Sequence, residues 1–522
     1  INVITTDPGT SSKFFADFNA TSRKEWNLDL SSRLSAGKAQ GLIGMNAFLY
    51  NTRHDINEDN FTDVTQQKRI SVFSKWELQR KSKLPFLFAA RYFAENRWGG
   101  ELQWSPQWRG SDSIYGESII TSRVEAFGRY GFRAAKQDFL LEYSYNFHDQ
   151  DAAYGYKLYL ATQHTAFAQV RWNKKLGSHD ITAGVPVRYT QYDDNTPATM
   201  NSSGKNQPDK VLIAGGFVQD EWELSDKLTT LIGLRYEYND AHGGIAAPRL
   251  SFKYAPDNRH TFRLSSGNGF RVVNLFTEDH LALSGARDLL VLNTLKPERS
   301  WNLNFNYAAQ FPFSNGFAGG DISLFYTHFT NRIIADYDSD PQLIIYDNLD
   351  GYAVSRGLSL NADLNIAHRL KFLTGFTWMD VFQKNGKLAE KERILFAPDF
   401  SSSYSLSYSF PSIRLIIDLT GKTYGAMKLP VVPNDYRPEY SPWFTLLNLQ
   451  LSKKIGQYIE VYGGLKNLLN FIPEDPILRP FDPFDKNVDD PVNNPHGYTF
   501  DPTYNYAPVQ GIKGFFGIRM KI

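Results

Sequence analysis

The chain ends on Gly511-Ile512-Lys513-Gly514-Phe515-Phe516-Gly517-Ile518-Arg519-Met520-Lys521-Ile522. Phe516, Ile518, Met520 and Ile522 fall on one face of a strand, and Gly517, Arg519 and Lys521 fall on the other. A terminal strand with one apolar and one cationic face suits a membrane-spanning β-barrel, whose outer face meets lipid and whose inner face meets a wet lumen. The same period of two recurs along the chain. Trp26, Leu28, Leu30 and Leu34 alternate with Asn27, Asp29 and Ser31, and Phe139 to Phe147 alternate with Glu142, Ser144, Asn146 and His148. Trp301, Leu303, Phe305 and Tyr307 alternate with asparagines, and Tyr404, Leu406, Tyr408 and Phe410 with serines. Strands buried on both faces would read as continuous apolar runs instead.

No stretch approaches the ~18 consecutive apolar residues of a spanning helix. No signal peptide opens the sequence, which begins Ile1-Asn2-Val3-Ile4-Thr5. Aromatic residues make up 15% of the chain, yet the mean hydropathy is −0.41. That pairing fits a barrel with aromatic girdles and hydrophilic loops. With 56 basic and 55 acidic residues the net charge is +1, so no basic surface points to nucleic acid. Cysteine is absent, which excludes disulfides, thiolate metal sites and a cysteine nucleophile.

Turn formers at 35–38, 225–227, 255–258 and 411–412 alternate with long polar connections near 53–67, 94–120, 190–211, 239–246, 267–299, 331–356, 380–399, 421–441 and 471–507. Short turns on one rim and long loops on the other are expected of an outer-membrane barrel. Counting hairpins back from the C-terminus gives about 22 antiparallel strands, an even number within the range of such barrels. No blade-like repeat supports a soluble propeller.

Several segments resemble the barrel of TonB-dependent outer-membrane receptors. They are Phe217 to Leu224 followed by Leu231 to Glu237, Pro248-Arg249-Leu250-Ser251, Gly269-Phe270-Arg271 with Leu275 to Glu278, Leu295-Lys296-Pro297-Glu298, and Val461 to Asn470. Each is weak alone; their order and spacing carry the resemblance, which covers nearly the whole chain. It implies active import of a scarce substrate across the outer membrane of a Gram-negative bacterium. The leading class is a metal chelate such as a ferric siderophore, haem or cobalamin. The family's plug domain is not represented; residues 1–10 resemble the plug–barrel junction, and 11–522 are expected to form the barrel. Through the missing plug the resemblance implies the TonB–ExbB–ExbD complex as partner, with outer-membrane lipid and lipopolysaccharide around the wall. The alternatives are a plugless passive channel, a surface barrel that binds a partner protein or lipoprotein, and import of oligosaccharide or peptide under a lid subunit.

No enzyme is expected, and no cofactor or resident metal. No His-Glu-x-x-His pair, phosphate-binding loop or Gly-x-Ser-x-Gly elbow occurs. Five methionines and no cysteine disfavour a soft-metal trap. Glu278-Asp279-His280 sets two carboxylates beside an imidazole, a set suited to metal binding or acid–base work, but its place in the long 267–299 loop favours a solvated or loop-packing role. Loop aromatics suit the wall of a bulky, partly apolar ligand, but also interfacial girdles and loop packing. The candidate binding set is Trp98, Trp104, Trp108, Arg271, Glu278, Asp279, His280, Tyr424, Tyr436 and Tyr498. Arg235, Arg249, Arg263 and Asp418 alternate with apolar neighbours and are expected to face the lumen, where they would meet a plug or guide an anionic solute.

Overall fold

In the computed structural model the described residues are 5–201, 203–272, 288–293, 295–336, 343–386 and 391–522. Twenty-three strands share one sheet. The two-residue strand Glu392–Arg393 is a spur on the strand Leu370–Asn385. The other 22 form a ring of antiparallel neighbours. The ring closes where the first strand, Phe14–Thr21, pairs with the last, Lys513–Lys521, so no strand edge is left open to lipid. Among the described residues no helix is long and apolar enough to cross a membrane.

Register fixes which side chains face where. Leu406 opposes Leu419 and Ser407 opposes Asp418, and this parity passes from strand to strand around the ring. Leu406, Ile518, Trp301 and Ile232 lie on the outer face and are exposed apolar side chains. Ser407, Arg519, Asn302 and Gly233 take the inner face. A one-residue slip would exchange the two sets, so the alternating sequence itself specifies the register.

Closure is marked by a polar seam. Asp17 accepts from the Tyr462 hydroxyl (2.6 Å) and from Arg519 Nε (2.7 Å), and Arg519 also bonds Glu460 (2.8 Å).

One rim carries tight connections such as 37–38, 135–136, 177–178, 314–315 and 456–458. The other carries 51–65, 101–115, 195–208, 272–297, 332–350, 386–399, 425–443 and 467–512. Three connections on that rim are short: 22–25, 155–156 and 240–242. The long loop expected at 239–246 is therefore a tight hairpin, with strand pairing running to Asn239 opposite Gly243. The expected loop 94–120 is also shorter, because strands Phe86–Gly100 and Gly116–Ala134 extend into it. Strands of 18–20 residues such as Gln137–Tyr154 and Lys157–Leu176 exceed the ~9–11 that cross a bilayer. Their surplus stands above the membrane as a palisade, packed by Ala152, Tyr154, Tyr159, Ala161 and Tyr192. A separate three-stranded sheet, Asp288–Val291, Ile333–Asp336 and Leu343–Asn348, joins two of the long loops.

Candidate functional site

The connection 467–512 joins the last two strands and contains no regular element, so side chains must fix it. At its near end Phe471, Tyr504 and Tyr506 pack with Met427, Leu429 and Phe444 of the neighbouring loop and strand. The Phe444 and Phe471 rings stack at 4.5 Å. At its far end Phe500, Ile477 and Phe484 pack with Phe61 and Tyr115, which belong to loops 51–65 and 101–115. Tyr115 lies 5.0 Å from Phe500 and 5.6 Å from Phe484. Gly155, in the two-residue turn at 155–156, has φ +57°, and a Cβ there would come within 3.1 Å of Phe484 and Tyr115. The segment therefore runs as a bar from the final hairpin to the palisade, over the intervening strands.

Buried ion pairs lock the middle. Arg437, 1% exposed, donates to Asp435 (2.8 Å) and Asp501 (3.1 Å), and its guanidinium lies 4.3 Å over Tyr504. Burial opposes the charge on Asp435, but the Arg437 hydrogen bonds prevail and hold its carboxyl below the usual range. Asp482 is held low in the same way, against burial, by the N–H groups of Asn487 and Lys486 and by Arg479. Tyr504 donates to the Pro438 carbonyl (2.6 Å), and Lys486 lies 3.7 Å from Asp112 across the mouth.

The sequence-predicted residues divide into four groups. Trp98 and Trp104 pack against each other at 4.7 Å, with Arg53 5.0 Å over Trp98 and bonded to the carbonyls of Leu102 and Trp104. Trp104 is 2% exposed and serves loop packing. Trp108 ends the short turn Pro106–Trp108 and is half-buried. Tyr424 stacks on Phe444 within the near cluster. Arg271 pairs with Glu298 (2.9 Å) at the rim. Tyr436 is 61% exposed, and Tyr498 donates to the backbone of Asn434 beside it. Of the candidate aromatics, these last two are brought together with a face toward solvent. Glu278, Asp279 and His280 lie outside the described residues. Arg235, Arg249, Arg263 and Asp418 all occupy lumen register. Arg235 bonds Glu237, Arg263 bonds Asn306 (3.2 Å) and Asp418 accepts from Ser407.

Sequence reasoning missed Phe61, Phe500 and Arg437, which organise the mouth. It also passed over Asp55, Asn57, Asp59 and Asp63, whose spacing is that of oxygen ligands in a calcium loop. Their carboxylates instead accept N–H groups of Asp59, Asn60, Phe61 and Ile56. No group of three His, Cys, Asp or Glu placed to hold a metal occurs among the described residues. The described residues thus set aromatic and amide groups at the mouth and a polar wall beneath.

Comparisons with known proteins agree with this architecture. An iron-regulated outer membrane virulence protein of Vibrio cholerae is 25% identical over 160 residues, which is 30% of this chain and 24% of that protein. Its counterpart from a second strain is 22% identical over 229 residues, 41% of this chain and 34% of that protein. The matches thus span about a quarter to a third of those relatives' length. Among solved structures, the siderophore receptor PirA from Acinetobacter baumannii superposes with a TM-score of 0.71 at 12% identity, covering 99% of this chain and 81% of that one. The FrpB iron transporter from Neisseria meningitidis gives 0.71 at 12%, covering 99% and 83%. The ferric enterobactin receptor PfeA from Pseudomonas aeruginosa gives 0.69 at 13%, covering 98% and 80%. At such identities the likeness is one of fold. The family model for the TonB dependent receptor-like β-barrel matches residues 25–468, and with the closed ring and its lipid-facing register this makes the chain a member of that family, a barrel of the Gram-negative outer membrane.

Proposed function

We propose that this barrel is the translocation domain of a TonB-dependent importer whose substrate is a metal chelate, with ferric siderophores as the leading class. The observation that carries the reading is the aromatic, hydrogen-bonding bar at 467–512 set over a polar lumen in a barrel of this family. A ring of this size is too wide to be filled by its own side chains, so a plug seated inside it would keep the permeability barrier. The names of the relatives, an iron-regulated protein and siderophore receptors, support the substrate class. In the working cycle the mouth captures the chelate, and the TonB–ExbB–ExbD complex uses the proton gradient to remodel the plug. The barrel supplies frame and path and makes no covalent bond.

The test is uptake of radiolabelled iron chelates by iron-limited cells expressing the full-length receptor. Uptake is expected to saturate, and to stop with a protonophore or on loss of TonB. Uptake that continues through both treatments would assign a passive channel instead.

A further inference from the structure

The lumen wall is not uniform. Across the strands from Gln66–Leu78 to Lys157–Leu176, arginines and carboxylates face inward and pair with one another. Arg91 lies 3.5 Å from Glu125, Arg123 lies 3.5 Å from the same carboxylate, and Arg171 lies 3.7 Å from Glu142. The facing arc, from Glu298–Phe313 to Phe444–Ile455, is built differently. Between Asn302 and Ser452 its inward positions are mostly amides, hydroxyls and glycines, and no ion pair between described residues lies on that face. Asp321 there accepts from the neutral side chains of Asn306, Ser323 and Asn361, and Asp418 from Ser407.

A cavity of about 880 Å³ follows this neutral arc. It begins low on the wall at Ala309 and Gly319 and rises obliquely past Ser403 and Ser405. It ends at the long-loop rim beneath Pro508 and Gln510, which belong to the bar. The same segment that spans the mouth thus forms the upper end of the groove. Lys422 and Lys466, both exposed and without an ion pair among the described residues, line that end, and Asp321 and Asp363 line the lower one.

We propose that the transported solute is anionic and descends along this neutral arc, while the ion-paired arc holds whatever fills the lumen. The proposal rests on the importer reading and deepens it. Neutral hydrogen bonds exchange readily, whereas bonds to charged groups are roughly twice as strong. A wall of amides and hydroxyls lets a solute move from one partner to the next. A wall of paired charges suits a fixed partner. Conduction needs a site attractive enough to enter and weak enough to leave; the lysines draw an anion into the upper end, and the aspartates repel it at the lower one, so descent past them is uphill and is driven by the energised step of the importer.

The chain has no cysteine, so a single introduced thiol in it can be labelled without interference from its other residues. Ser403→Cys and Ser405→Cys place one in the groove, and Ser144→Cys places one on the ion-paired arc; all three are near-isosteric. In the full-length receptor on whole cells, a small anionic thiol reagent is expected to modify the groove positions at least tenfold faster than Ser144→Cys. At Ser403→Cys the anionic reagent should also outpace a cationic one, and Lys422→Gln with Lys466→Gln should erase that preference. Equal labelling of both arcs, or faster labelling at Ser144→Cys, would overturn the proposal, and no charge preference would overturn its anionic part. Labelling needs no uptake, so these outcomes are separate from failure of the importer reading, which appears as absence of energy-dependent uptake in the unmodified receptor. Where uptake is present, a bulky maleimide in the groove should block it while leaving surface capture unchanged.

Discussion

The wall and the bar solve the same problem by opposite means. In the wall every strand has two neighbours, so backbone hydrogen bonds carry the structure and side chains only have to suit lipid or water. The bar at 467–512 has a single isolated bridge, Leu478 opposite Asp501. Its course is set by two aromatic clusters and by carboxylates that cap backbone N–H groups. A wall of this kind tolerates almost any inward residue. The bar depends on a few particular side chains.

The largest effect that would test this contrast is Arg437→Ala. It leaves Asp435 and Asp501 buried without their counter-charge, a loss on the order of 3–5 kcal/mol when such a pair is broken. The expected result is rapid proteolysis within 467–512 with heat-stable barrel migration intact; a bar that stays resistant would mean that the aromatic clusters suffice. Next is a neighbouring pair in the wall. Leu406→Arg puts a charge against lipid at a cost of ~2–4 kcal/mol near the midplane, while Ser407→Arg enters the lumen beside Asp418 and should fold normally. Equal defects in folding assays of the two variants would refute the register.

The smallest effect concerns pH. Burial, joined by the charges of Asp55 and Asp59, pushes the Asp63 carboxyl up to about 7, against the N–H of Ile56. Its folded value lies above its unfolded one, so its contribution is fully present below about pH 4 and is lost as pH rises through 7. Asp435 and Asp482 are shifted down, so their contributions are present above about pH 4 and lost only in acid. Loop 51–65 should therefore exchange its amides more slowly at pH 5 than at pH 8 after correction for intrinsic rates, while the bar stays unchanged. Asp63→Asn should flatten the loop's dependence, and a pH response that survives this change would place its origin elsewhere.

The wall was legible in the sequence because its period of two is enforced by lipid on one side. The parity expected for Leu406 and Ser407, and for Ile518 and Arg519, is the parity observed. Above the membrane nothing enforces alternation, so the extended strands around Gly100 and Gly116 read as loop, and the hairpin at 240–242 read as a long connection. The mouth was the least legible. Phe61 meets Phe500 at 5.7 Å from a distant part of the chain, and composition does not say which aromatic faces a solute and which faces a neighbour. Trp104 and Tyr436 look alike as sequence, yet one is buried and the other open.

The seam has a consequence for biogenesis. Asp17 and Arg519 stand 502 positions apart, so ring closure joins the two ends of the sheet and costs more chain entropy than any hairpin within it. The bar is strung between the last two strands and anchored on loops 51–65 and 101–115 at the far side. It cannot reach that anchorage until the final strand has found the first. Order in the bar thus depends on strands from both ends of the chain, and a cell that displays an ordered bar displays a barrel that has already sealed.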